Sequence, residues 1–192
     1  LGFGPDGWLY LSQGSSCNAC VEQDPRRATS MRLRADGSSA EIYATGLRNS
    51  VDFDWAPWDG ALYATDNGRD LLGDDLPPDE LNRVEAGHFY GWPQVHGFGL
   101  PDPEFGAQPA GDATPTDPVH GFRPHNAPLG IRFLNSERLP EGYERTALVA
   151  LHAQPGQRHG CVAVTGEGQR PGQHLVEHHA ERVQVGSTVH PQ

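Results

Sequence analysis

Lysine is absent from the chain: all 14 basic residues are arginine. Schiff-base catalysis and a phosphate-loop lysine are therefore excluded within it. Positive charge is scarce as well, with 25 acidic residues giving a net charge of −11, which disfavours nucleic acid or anionic lipid as a partner. No apolar run approaches the roughly 20 residues of a helical membrane span. Cysteine occurs three times, and Cys17-Asn-Ala-Cys20 has no second CxxC to complete a Cys₄ zinc site. Methionine occurs once, at Met31, and Leu1 opens straight into LGFGPDGWLY. With neither a translation start nor a leader at this end, the chain is expected to be a piece of something longer, and a leader cannot report its compartment.

Aromatic residues are missing from one part of the chain. All 16 lie in residues 1–152, together with 22 acids and 11 arginines. Residues 153–192 hold three acids, three arginines, five histidines and six glutamines. Such a stretch has little to anchor in a core and reads as a low-complexity tail, loop-like except for Cys161-Val-Ala-Val. Two readings of it stay open, a disordered linker or a slip of the reading frame near Ala153. Paired His178-His179 and the other tail histidines lack zinc-motif spacing.

Glycine (24) and proline (17) are plentiful, about a fifth of 192 residues, and punctuate short strand patterns. Phe3-Gly-Pro-Asp-Gly-Trp-Leu-Tyr reads as strand, turn, strand. Its Asp6-Gly7 and Leu9-Tyr10 recur 53 residues later at Asp59-Gly60 and Leu62-Tyr63. Met31–Arg34 and Glu41–Ala44 flank a further turn at Asp36-Gly37, and a weaker third copy runs from Leu129–Leu134 through Glu141-Gly142 to Thr146–Leu151. Amphipathic helical patterns are missing. Strand pairs recurring at about 50 residues are the mark of β-propeller blades, whereas a β-sandwich has no such long period. Residues 1–152 then make about three blades, fewer than the usual closed ring.

Three loops carry candidate chemistry. Gly46-Leu-Arg48-Asn49 lies between two strand patterns, and its guanidinium and amide suit a carboxylate- and carbonyl-rich ligand; a surface arginine beside a turn asparagine gives the same spacing. Asn67–Glu80 holds five carboxylates, which could supply the oxygens a hard cation needs or simply be a solvated loop. Cys17 and Cys20 read either as a local disulfide in an oxidising compartment or as free thiols, and Cys161 as unpaired. His88, His96, His120 and His125 are scattered over loops, without a nucleophile elbow to complete a hydrolase triad.

These same stretches — FGPDGWLY (3–10), GSSCNAC (14–20), ATGLRNSV (44–51), NGRD (67–70), GDDLPPDELNRVEAGHFYGWP (73–93), PDPEFG (101–106) and HNAPLG (125–130) — resemble the glucose/sorbosone dehydrogenases, soluble sugar dehydrogenases that use pyrroloquinoline quinone on a six-bladed β-propeller. The similarity covers essentially all of 1–152, and the chain closely resembles the L-sorbosone dehydrogenase-like branch. The resemblance implies that Arg48 and Asn49 contact the quinone. It places the backbone oxygens of Gly68 and Arg69 at the calcium that polarises the quinone, and Glu80 and the backbone of Tyr90 at a second, structural calcium. It implies a histidine base just before the FGPDG strand, a position outside this chain, so the chain alone is expected to show no turnover. The family's run after Ala150-Leu-His152 is replaced here by AQPGQRHG.

The resulting expectation is an incomplete all-β propeller of an oxidoreductase that takes an aldose or sorbosone and passes electrons to an external acceptor, periplasmic or secreted. The alternative is a non-catalytic extracellular propeller that binds a protein or glycan through its loops.

Overall fold

The computed structural model describes residues 1–108, 113–152, 160–165 and 176–179. Left-handed glycines turn the chain at equivalent places: Gly7 takes φ +77° and Gly60 φ +69°, a conformation that L side chains resist. Gly7 lies between β1 (Gly2–Phe3) and β2 (Leu9–Gln13), which β3 (Thr29–Leu33) and β4 (Ala40–Thr45) extend into an antiparallel sheet of order β1-β2-β3-β4. Gly60 lies between β5 (Ser50–Trp55) and β6 (Leu62–Asp66). After β7 (Asp79–Val84), a small hairpin of β8 (Val95–His96) and β9 (Leu100–Pro101) precedes β10 (His120–Phe122), giving a second sheet of order β10-β7-β6-β5. The third is β11 (Pro128–Phe133), β12 (Thr146–Leu151), β13 (Gly160–Thr165) and β14 (Val176–His179), paired in chain order. The three recurrences read from the sequence are thus the first two strands of three successive blades, with no helix among the described residues.

The core lies between blades. Side chains alternate across a strand, and all five residues of β6 are buried. Leu62 and Ala64 face the first blade and pack with Tyr10, Ala44, Leu47, Val84 and Tyr90. Tyr63 faces the third with Leu81, Phe122, Ile131, Val149, Val162 and Val164. Edge-on ring contacts thicken both layers: Tyr10 lies 5.4 Å from Trp55, and Tyr63 lies 5.1 Å from Phe133. Carboxylates on β5 also cap the exposed edge of β11: Asp52 accepts the Ile131 N–H at 3.1 Å and Asp54 the Phe133 N–H at 2.9 Å. An edge strand is thereby satisfied by a neighbouring blade's side chains rather than by another strand.

Among the described residues the sheets do not close into a ring, as expected of about three blades, and the third blade draws on the segment after His152. Cys161–Val164 is strand, as its pattern indicates, and β13 pairs with β12 over six residues. Val176–His179, read as loop from its histidines, is instead an edge strand on β13. Pairing uses backbone groups alone, so a polar composition does not prevent it. The rest of 153–192 lies outside the described residues. Cys17 and Cys20 form a disulfide, and Cys161 is free and exposed.

Candidate functional site

Four loops meet at one end of the blades, opposite the Asp-Gly hairpins. They join β2 to β3 (residues 14–28), β4 to β5 (46–49), β6 to β7 (67–78) and β10 to β11 (123–127). Asp66, the last residue of β6, organises the second of them: its buried carboxylate accepts the Arg48 N–H at 2.9 Å and the Asn49 N–H at 2.6 Å. Asp79, the first residue of β7, ties the third loop to the fourth by accepting the Gly68 N–H at 2.8 Å and the Ala127 N–H at 2.9 Å. His125 bonds the Gly73 carbonyl at 2.9 Å.

Arg48 is the hub. Its Nη1 donates to the carbonyls of Gly68 at 2.8 Å and Asn67 at 3.1 Å. Its Nε donates to the Asn18 carbonyl at 3.0 Å and its Nη2 to Asn18 Oδ1 at 3.1 Å. Of five guanidinium N–H groups, one on Nη2 stays unassigned. Burial lowers the Arg48 pKa, and Asp66, Asp70 and Asp79 counter it. The Asn49 side-chain amide makes no hydrogen bond among the described residues. It lies against Gly14, where a Cβ would come within 2.9 Å of Asn49 Oδ1, so the glycine gives the amide its place.

Below the loops, a cavity of about 10 Å³ is lined by Arg48, Asp66, Asn67, Gly68, Glu80, Tyr90, Trp92 and His96 among others, room for about one water or bare ion. Glu80 is buried; its Oε1 accepts the Gly97 N–H at 2.7 Å and its Oε2 the Asn82 amide at 3.0 Å. Burial pushes the Glu80 carboxyl up to about 7. It also pushes Asp66 well above the carboxylate range, with the Glu80 charge adding to the effect. Asn67 Oδ1, Asn82 Oδ1 and Trp92 Nε1 are buried with no hydrogen-bond partner among the described residues. Tyr90 is buried, its hydroxyl donating to the Arg83 carbonyl and accepting the Glu85 N–H at 2.9 Å. One wall is braced by Asp102: Oδ2 takes Arg69 Nη1 at 2.6 Å and His96 Nε2 at 2.8 Å, while Oδ1 accepts the N–H groups of Glu104 and Phe105. Burial works to raise Asp102, but these donors outweigh it and hold the carboxyl far below its usual range.

The structure therefore brings Arg48, Asn49, Gly68, Arg69, Glu80 and Tyr90 to one end of the fold. At the Glu80 cavity a divalent cation would meet two buried carboxylates that repel one another and the Asn67 Oδ1, oxygen ligands of the kind Ca²⁺ takes, beside the Arg48 guanidinium. At Gly68 the carbonyl already serves Arg48, so a cation would share it with the guanidinium. An anionic, carbonyl-rich quinone fits the spare Arg48 N–H and the unbonded Asn49 amide. Sequence reasoning missed Asn18, Asp66 and the joining of Arg69 and His96 by Asp102, and it counted Asp79 only as one carboxylate of the acidic loop; the only signal for Asn18 was its place between two cysteines.

A family model described as Glucose / Sorbosone dehydrogenase matches residues 1–184. An uncharacterized protein of Borreliella burgdorferi is 33% identical over 146 residues, covering 75% of this chain and 38% of that protein. Aldose sugar dehydrogenase YliI of Escherichia coli is 29% identical over 125 residues, 62% of this chain and 31% of that protein. The solved PQQ-bound form of aldose sugar dehydrogenase from Streptomyces coelicolor shares the fold at a TM-score of 0.63 and 24% identity, over 92% of this chain and 47% of that one. The chain spans less than half the length of each.

Proposed function

Because the chain belongs to the glucose/sorbosone dehydrogenase family, we propose that its loop end forms part of the quinone and calcium site of a sugar oxidoreductase. The substrate is an aldose or sorbosone, and an external carrier takes the electrons. One observation carries this reading: Arg48 reaches the Gly68 carbonyl at 2.8 Å, from a loop that Asp66 pins beside a buried acidic cavity.

Each residue has a role set by its chemistry. Arg48 and Asn49 bind and orient the quinone through the remaining guanidinium N–H and the free amide. The carbonyls of Gly68 and Arg69 hold the calcium beside it. Glu80 and the Tyr90 backbone hold a second calcium that stiffens the loop end. When bound, the quinone accepts hydride from the sugar and calcium makes its carbonyl more electrophilic. Three histidines of the described residues already have partners: His96 bonds Asp102, His125 Nε2 bonds the Gly73 carbonyl and His88 bonds Thr116. The Cys17–Cys20 disulfide supports a periplasmic or secreted setting.

The test is a titration of the chain with pyrroloquinoline quinone, with and without Ca²⁺, followed by tryptophan fluorescence. Saturable, Ca²⁺-dependent binding that weakens at least about tenfold in Arg48→Ala is expected, since a charged hydrogen-bonding group contributes about 1.5–3 kcal/mol. Binding that ignores both Ca²⁺ and Arg48 would reject the proposal.

A further inference from the structure

The residue that decides where Arg48 points lies on a different blade connection. We propose that Asn18, held in the Cys17–Cys20 disulfide loop, is the positioning residue for Arg48 and for the start of the acidic loop; its bearing on cofactor binding rests on the reading of Arg48 given above. Asn18 makes four hydrogen bonds to two segments remote in sequence. Its carbonyl and its Oδ1 receive Arg48 Nε at 3.0 Å and Nη2 at 3.1 Å. The same Oδ1 accepts the Asp70 N–H at 2.8 Å, and its Nδ2 donates to the Asp70 carbonyl at 3.1 Å. Both faces of one side-chain amide are thus spent bridging Arg48 to the segment that carries the Gly68 and Arg69 carbonyls.

Asn18 can do this only if its own backbone is fixed, because its carbonyl is one of the acceptors. Three features fix it. The disulfide closes a loop of sequence separation three around it. Ser15 Oγ donates to the Cys17 carbonyl at 2.6 Å. Ser15 N–H, in turn, donates to the Arg48 carbonyl at 2.7 Å. Arg48 is therefore gripped at its main chain and its guanidinium by the same short loop. A guanidinium aimed by fixed acceptors loses less freedom on meeting a ligand, which is how a residue that need not touch the ligand governs its affinity.

The experiment compares four forms of the full chain: oxidised, reduced with a phosphine, Asn18→Ala and Asn18→Asp. The aspartate keeps the acceptor for Arg48 and for the Asp70 N–H. One readout is solvent exchange of the Arg48 Nε–H and the Asp70 amide by ¹⁵N NMR, with the Leu11 and Met31 amides as controls for the fold. The other is pyrroloquinoline quinone affinity in Ca²⁺. Reduction and Asn18→Ala should speed exchange of both reporters at least about tenfold while the controls hold, and weaken quinone binding about tenfold, as expected for losing two or three hydrogen bonds. Asn18→Asp keeps the acceptor bonds but sets a carboxylate oxygen against the Asp70 carbonyl, so Arg48 exchange should stay within about threefold of the oxidised chain while Asp70 exchange rises. Unchanged reporter exchange in Asn18→Ala would overturn the clamp itself, and faster exchange with unaltered affinity would overturn its role in positioning. If the oxidised chain binds no quinone, the cofactor reading fails, and the exchange data still decide whether Asn18 holds Arg48.

Discussion

Removing the Asp66 carboxylate tests how the loop end is assembled. In Asp66→Ala, the N–H groups of Arg48 and Asn49 lose acceptors at 2.9 and 2.6 Å. A hydrogen bond to a charged group contributes about 1.5–3 kcal/mol, so two lost together cost about 3–6 kcal/mol. Some of that is returned, because the carboxylate is itself costly to bury: its pKa stands well above the usual range, driven by burial and then by Glu80. Water reaching the part-buried loop recovers more. The expected net loss is about 2–4 kcal/mol, read as a shift of the urea midpoint by tryptophan fluorescence. Asp66→Asn keeps one oxygen acceptor and should fall between the two. An Asp66→Ala chain within about 0.5 kcal/mol of the parent, the range of an ordinary surface change, would show that the carboxylate does not hold the Arg48 loop.

Asp102→Ala strands the Arg69 guanidinium and His96 in a buried pocket and should cost about 3–5 kcal/mol in the same assay; a loss below 1 kcal/mol would mean that the cluster is not an integral brace. Phe122→Ala empties the layer between the second and third blades, with an expected cost of about 3–5 kcal/mol. Amide exchange should then rise more in β11 and β12 than in β2 and β3, and a uniform rise would contradict separate inter-blade layers. Burial first, aided by the bond to Asp6, pushes the Tyr10 phenol up to about 12. Between pH 10 and 12 the folded chain keeps a proton that the unfolded chain releases, so stability falls as pH rises through that window, by up to about 2–3 kcal/mol. The Tyr10→Phe chain should lose this component, measured by urea unfolding at stepped pH.

Much of the fold was legible because its signals are local. Asp6-Gly7 and Asp59-Gly60 each specify a turn within a few residues, and the Leu-Tyr pairs that follow specify which faces are buried. Their recurrence is the blade period. Cys161–Val164 was legible for the same reason, whereas Val176–His179 was not: an edge strand needs backbone pairing but little apolar side chain. The Arg48-Asn49 loop and the acidic loop could be singled out by residue type. What joins them could not, because the partners are remote. Arg48 and Asn18 are 30 residues apart, Asp70 and Asn18 are 52, and Arg69 and Asp102 are 33. His96 lies only six residues from Asp102, yet nothing in that spacing reveals that both are buried. Periodicity reports which face of a strand is covered, not which loop end meets which.

The central claim, that the cavity beside Arg48 takes a divalent ion through Glu80, has a direct probe in Trp92, which lines the same cavity. Tb³⁺, an oxygen-seeking stand-in for Ca²⁺, should show saturable luminescence when the chain's tryptophans are excited. Ca²⁺ should displace it, and Glu80→Gln should remove the share that the Glu80 site contributes, leaving at most the signal of an ion beside Gly68, in a chain that still unfolds cooperatively. Luminescence that never saturates, or that survives intact in folded Glu80→Gln, would contradict the claim.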